Sequence, residues 1–299
     1  MIEGQENVTW DDWCALADAC EEHGVGTLFR SDHYISFSAE DSVAHDAWTT
    51  IAALAARTST LRLGTLVSPA TFRAPALLAN AAATADHVSG GRIELGLGAG
   101  WNEREHRAYG FPFPETPVRV EMLAEQLEIV HRLWTEERVD FRGRHYTLED
   151  APGQPRPLQR PRPPLVAGGS GSRGTVEPAL RFADEYNTPF ASPEDAAAIR
   201  EKVRPLRFSV MTGCLIGETR DDALERARTL YSRQSREASF EDWLAGFEAH
   251  GVFGSLDEAA ERLRAYERAG CDRMMLQHLL HTDLEPVRLI GRELAPALA

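Results

Sequence analysis

Residues 89–102 read SGGRIELGLGAGWN: a serine-glycine turn, a six-residue run at 93–98, and an exit built from Gly98, Ala99, Gly100, Trp101 and Asn102. The run is apolar, too short for a helix and bounded by glycine, so it reads as a strand. Glycines at its end let the backbone approach a flat ligand closely. The spacing is not the dinucleotide-binding fingerprint, because Trp101 follows the third glycine and no acidic residue closes a second strand at the usual distance. That argues against a Rossmann domain.

The same strand-then-helix unit recurs on both sides. Runs at 1–5, 27–31, 61–67, 164–168, 185–190, 207–216 and 272–277 are apolar or β-branched, and nearly every one leads into an amphipathic stretch. With 93–98 they make eight, and alternating βα units predict a parallel sheet. Eight such units in 299 residues predict an α/β fold, a (β/α)8 TIM barrel spanning 1–299 as one domain. Thr9 opens one helix and Gly24 ends it, while Ser255-Leu256-Asp257-Glu258 forms a capping box before a helix over 259–269 that Gly270 stops. Residues 137–164 break the rhythm, which predicts an insertion between the fourth and fifth βα units. It would hold a short hairpin through Val139-Asp140-Phe141 and His145-Tyr146-Thr147, then a proline-rich connector. The prolines are alternatively a domain linker, but the βα pattern resumes directly after them. The opening MIEGQ offers only a stub where a barrel needs a full first strand, which predicts a start site upstream of Met1.

Basic residues number 32 and acidic ones 46, a net charge of −14 that disfavours nucleic acid or an anionic membrane as partner. Lysine occurs once, at Lys202, and the arginine and alanine bias suggests a GC-rich genome. Cys14, Cys20, Cys214 and Cys271 show no metal-finger or redox spacing, so they read as buried reduced thiols in a cytoplasmic protein. No apolar run approaches the length of a spanning helix, and no leader precedes the first unit.

Chemistry in a parallel barrel sits at the C-terminal strand ends. Asp32 and His33, in Ser31-Asp32-His33-Tyr34, leave the second strand together, and histidine exchanges protons near neutral pH. The alternative is a structural Asp32 capping the next segment with His33 filling the rim. The stretch LRLGTLVSPATFRAP at 61–75 carries Thr65, Leu66 and Val67 into a polar exit, or is a plain strand followed by a proline turn. Val166 leads into Gly168, Gly169, Ser170, Gly171 and Ser172, a loop opening a helix, with backbone N–H groups suited to phosphate and Arg173 close by. On that reading Gly169→Asp abolishes cofactor binding without unfolding the chain. Arg156, Arg160 and Arg162 are further candidates for positive charge, although arginines in such loops are mostly solvated. Metalloprotease, kinase and serine-hydrolase motifs are absent, and no metal site is expected.

Taken together, SDHY at 31–34, LGTLVSPATFRAP, SGGRIELGLGAGWNEREHRAYG, AGGSGSRGTVEPALRFADEYN and GCDRMMLQHL resemble the luciferase-like monooxygenase family, most closely its branch using the deazaflavin coenzyme F420. The resemblance spans almost the whole chain with its motifs in order. It implies a flavin-type ring at the barrel mouth and the phosphate end on Gly168, Gly169, Ser170, Gly171 and Ser172. Asp32 and His33 would face the reactive ring, with His33 as proton donor. Thr65, Leu66 and Val67 would bear on that ring through a non-prolyl cis peptide at Leu66-Val67, and Ala99, Gly100, Trp101 and Asn102 would line the tail and substrate side. Where the sugar-phosphate dehydrogenases of the branch carry glutamate, this chain has Trp101, which implies an apolar or aromatic substrate. The implied protein is a homodimeric F420-dependent oxidoreductase served by a reductase that supplies reduced coenzyme. The alternatives are an FMN-dependent monooxygenase using molecular oxygen and a partner flavin reductase, and a non-catalytic flavin-binding barrel.

Overall fold

The structure, a computed structural model, describes residues 1–37, 42–233 and 238–298. The chain begins with α1 (Trp10–His23), β1 (Thr27–Arg30), α2 (Ala47–Arg57), β2 (Arg62–Pro69), α3 (Pro75–Ser89) and β3 (Ile93–Gly98). Two helices follow, α4 (Glu103–Tyr109) and α5 (Thr116–Thr135), then β4 (Arg138–Arg142), β5 (Thr147–Pro152), β6 (Leu165–Gly168), α6 (Arg173–Phe182) and β7 (Glu185–Pro189). The rest comprises α7 (Pro193–Val203), β8 (Arg207–Ile216), α8 (Arg220–Ser232), α9 (Phe240–His250), β9 (Val252–Gly254), α10 (Leu256–Arg268), β10 (Arg273–His278) and α11 (Glu285–Leu289).

One curled sheet runs β1-β2-β3-β6-β7-β8-β10 with every pairing parallel, and β9 pairs alongside the end of β8. The stub read at 1–5 forms a single bridge, Ile2 to Arg30. Ile2 N–H donates to Phe29 O at 2.9 Å and Ser31 N–H to Ile2 O at 3.0 Å on one side. On the other side His278 N–H donates to Met1 O at 2.9 Å, so two residues join β1 to β10 and close the barrel. Gly4 ends the strand because it turns against the Arg30 guanidinium, into which a Cβ would run. The hairpin at 137–164 also differs from expectation. Its return strand is Thr147–Pro152 rather than the stretch around His145, and β4 and β5 pair antiparallel apart from the main sheet.

Local rules explain the helix limits. Thr9 and Asp12 form a capping box at the start of α1, and Gly24 ends it in the left-handed region; Ser255 and Glu258 do the same at the start of α10. All six residues of β3 are buried, as expected of a parallel strand covered on both faces. Helices pack on the outside of the sheet through Trp13, Leu16, Ile51, Leu54, Leu78 and Leu127 among others. Inside the barrel, Phe29, Leu66, Val166 and Met275 form a separate apolar plug with Met1, Val67 and Met211 against it. Each such burial contributes about 1.5–3 kcal/mol. Below the plug, Arg273 holds Glu94 at 2.8 Å and Glu185 at 3.3 Å. The plug is therefore the floor on which a ligand at the strand C-termini rests. All four cysteines are free; Cys20 and Cys214 are buried, while Cys14 and Cys271 are only half-buried, short of the expected full burial. Among the described residues no helix is long and apolar enough to cross a membrane.

Candidate active site

A cavity of about 1190 Å³ opens at the C-terminal ends of the barrel strands. His33, Leu66, Val67, Ala99, Gly100, Trp101, Gly168, Gly169, Ser170 and Ser172 line it, so four separate stretches of the sequence meet in one space. Asp32, Thr65, Asn102 and Gly171 lie behind its wall.

His33 is held from an unexpected direction. Its Nδ1 lies 2.7 Å from Glu105 Oε2, and the Glu105 carboxyl is fully buried. Glu105 Oε1 accepts the N–H of Tyr34 and that of Ile35, the latter at 3.3 Å, which fixes the segment bearing His33. Asn102 makes this possible: as N-cap of α4 it accepts from Glu105 N–H, setting Glu105 in the first helical turn and facing inward. Burial opposes charge on the His33 ring, but the hydrogen bond and negative charge of Glu105 outweigh it and raise its pKa above the ordinary imidazole value. Phe37 and Trp101 flank the ring edge-on, at centroid distances of 5.1 and 5.7 Å, and both are exposed to the cavity mouth. With Nδ1 occupied by Glu105, Nε2 is the nitrogen left for a ligand; among the described residues it has no partner.

Asp32, beside it in sequence, points elsewhere. It is 1% exposed and accepts from Ser68 Oγ and Arg73 Nη1, each at 2.6 Å. Arg73 also reaches Asp46 at 2.6 Å and Tyr34 Oη at 2.8 Å. Burial works against the Asp46 carboxylate, yet Thr49 N–H, Tyr34 and Arg73 hold its pKa well below the usual carboxylate range. Two carboxylates and a guanidinium thus lock the end of β1 to the end of β2. At that end the Leu66–Val67 peptide is cis, the geometry the resemblance implies, and the β2–β3 register shifts between Thr65 and Ser68. Thr65 is fully buried and donates to Gly96 O at 3.1 Å.

Val67 is met by glycines at the ends of β3 and β6. A Cβ on Gly98 would lie 2.5 Å from Val67 Cγ2, and one on Gly168 3.1 Å from Cγ1. Only glycine permits that approach. Past Gly168 the loop is tied to the core by Tyr186, whose buried hydroxyl accepts from Gly171 N–H at 2.9 Å and lies 2.7 Å from Thr175 Oγ1. Among the described residues, the N–H groups of Ser170, Ser172, Arg173 and Gly174 have no partner, and Ser170 and Ser172 face the cavity. An anion there would complete the first turn of α6. A side chain on Gly169 would collide with the Tyr186 hydroxyl and Thr175, so Gly169→Asp disrupts the loop's anchor and is not a clean probe of binding. The arginines put forward as a positive patch have other work. Arg162 binds Asp184 and Phe182 O, Arg160 binds carbonyls of its own turn, and Arg173 pairs with Glu177 at the surface. Arg156, Arg160, Arg162 and Arg173 are all outside the lining.

Sequence reasoning missed Glu105, Tyr186 and Arg73. Glu105 lies 72 residues from His33, and its only sequence signal is Asn102 three positions earlier, an N-cap spacing that places it in a first turn.

The family model for luciferase-like monooxygenases matches residues 2–273. The chain belongs to that family. An F420-dependent glucose-6-phosphate dehydrogenase of Kineococcus radiotolerans is 39% identical over 172 residues, 57% of this chain and 50% of that protein. This chain thus spans about half the length of that relative. An FMNH2-dependent dimethylsulfone monooxygenase of Pseudomonas putida is 28% identical, over 98% of this chain and 89% of its own length. The F420-dependent tetrahydromethanopterin reductase of Methanopyrus kandleri has the same fold, with a TM-score of 0.82 at 17% identity over 100% of this chain and 98% of that one. The curled parallel sheet is therefore the barrel of this family.

Proposed function

We propose that this family member is an F420-dependent oxidoreductase acting on a small, apolar or aromatic organic substrate. The observation that carries the reading is His33, braced by buried Glu105 at Nδ1 and open at Nε2, at the mouth of a cavity whose far end is a glycine loop with unpaired N–H groups. When bound, the deazaflavin supplies or accepts the hydride. The chain supports a flat ring with Val67, backed by Gly98 and Gly168, and takes the phosphate end on Ser170 and Ser172. Ala99, Gly100 and Trp101 border the substrate. His33 Nε2 delivers a proton to the reduced product, or takes one in the reverse direction, and Glu105 stabilises the charged ring. Asp32 acts from behind the wall: through Ser68 and Arg73 it sets the end of β2, and with Thr65, Asn102 and Gly171 it supports the residues that touch ligand.

An FMN-dependent monooxygenase is the second reading, favoured by the nearly full-length match to the FMNH2-dependent relative. Either version works as one barrel domain over 1–299 with 137–164 inserted, as a homodimer in the cytoplasm, and draws reduced coenzyme from a separate reductase. Titrating the apoprotein separately with F420 and FMN, by fluorescence quenching at moderate salt, decides between them. Selective F420 binding supports the first reading, FMN binding with oxygen uptake supports the second, and binding of neither refutes both.

A further inference from the structure

We infer that the substrate half of this cavity takes a neutral or cationic molecule with a ring-sized apolar body and rejects carboxylates and phosphates, and that Glu3 sets the preference. The inference rests on the reading of the cavity just given. At about 1190 Å³ the cavity exceeds the roughly 300–1,000 Å³ of an ordinary single-ligand pocket, so it has space beside a coenzyme. Besides the glycine loop, the lining includes Glu3, Phe37, Trp101, Leu279, His281 and Arg233.

Glu3 receives only neutral donors, Gln5 Nε2 at 2.9 Å on one oxygen and Gln277 Nε2 on the other. Among the described residues no cation pairs with it, and its charge is felt at His33, where it helps to raise the ring's pKa. The other charges nearby do not offset it at that point. His33, when protonated, is paired with Glu105 on its Nδ1 side, and its Nε2 is the atom the proposed chemistry uses. The Met1 amine is pushed toward its neutral form by burial, and burial does the same to His281. Arg233 is exposed at the rim, where its charge acts on His281. An anion seated against Glu3 therefore meets a carboxylate with no cation paired to it among the described residues. A neutral ring escapes that repulsion and a cationic one is attracted, and either can cover Phe37 and Trp101, which are 47% and 64% exposed. Carboxylate lone pairs left on Glu3 can accept an O–H or N–H from such a molecule.

The test is ligand-observed NMR titration of the full chain with benzyl alcohol, benzylamine and benzoate, on wild type and Glu3→Gln, beside the coenzyme titrations. Benzyl alcohol and benzylamine are expected to bind the wild type at least about tenfold more tightly than benzoate, and Glu3→Gln is expected to bring the three within about twofold. Equal or tighter binding of benzoate by wild type overturns the inference. An unchanged gap in Glu3→Gln overturns the role of Glu3, and absence of binding by all three overturns the ring-bearing substrate class. Should Glu3→Gln fail to fold, the order of the three probes on wild type decides alone. If F420 or FMN binds while the probe order fails, only this inference falls. If neither coenzyme binds, the reading beneath it falls and carries the inference with it.

Discussion

Replacing Glu105 by Gln removes one buried charge and keeps the shape. The amide oxygen can still accept from Tyr34 and Ile35, but the group facing His33 Nδ1 is no longer anionic. A hydrogen bond with a charged partner contributes about 1.5–3 kcal/mol and a neutral one about 0.5–1.5, so the protonated ring loses about 1–2 kcal/mol of support. Side-chain exposures of 12% for His33 and 0% for Glu105 leave little water to replace it. The folded state raises the His33 pKa, so the pair's contribution is fully present below the ordinary imidazole value of 6.5 and is lost as pH rises through the raised one. Urea unfolding should therefore show wild type more stable than Glu105→Gln by about 1–2 kcal/mol near about pH 6, with the gap shrinking toward about pH 9. The pH–rate limb that reports His33 should move to lower pH in the variant. A stability gap independent of pH, together with an unmoved limb, would refute the argument.

Three further outcomes are expected. His33→Ala should retain coenzyme affinity while turnover falls by roughly 10²–10⁴, the usual contribution of a positioned acid-base group; full activity would remove its assigned role. Ser170→Asp places a negative charge on an exposed loop position facing the cavity, so coenzyme affinity should fall at least about tenfold with the far-ultraviolet circular dichroism unchanged. Undiminished affinity would move the phosphate elsewhere. Arg73→Met strands the Asp32 carboxylate in the core without its cation, and thermal and urea melts should register a loss of about 3–5 kcal/mol; a change under about 1 kcal/mol would mean that Asp32 takes up a proton or finds another donor.

The barrel was legible because its strands announce themselves locally. Ile93–Gly98 and Arg207–Ile216 are apolar runs between turn signals, and the bounds read from sequence match those in the structure. Val252–Gly254 was not legible: two apolar residues between Gly251 and Gly254 carry no periodicity, and the strand exists only through its pairing with Cys214, Leu215 and Ile216. The return strand of the hairpin was misplaced because Thr147–Pro152 is mostly exposed and lacks apolar alternation to fix its register. At the site, sequence could point to His33 and the glycine loop, since both are strand exits with distinctive residues. It could not say that Asp32, one position from His33, would turn into a buried network with Arg73, because neighbours at a strand end diverge in direction. Nor could it link Glu105 or Tyr186 to their partners, because those contacts depend on how distant βα units stack around the barrel.

Loops on such a barrel are commonly regarded as interchangeable parts, each free to vary over a fixed frame. The carboxylate that reaches His33 from α4 denies that freedom here. The loop after β1 brings His33, but the carboxylate that raises its basicity comes from α4, after β3. Transplanting either segment alone into a related barrel would deliver a histidine of unmodified strength or an unpartnered buried acid. The two segments form a single coupled unit, and substitutions in one constrain which substitutions the other can accept.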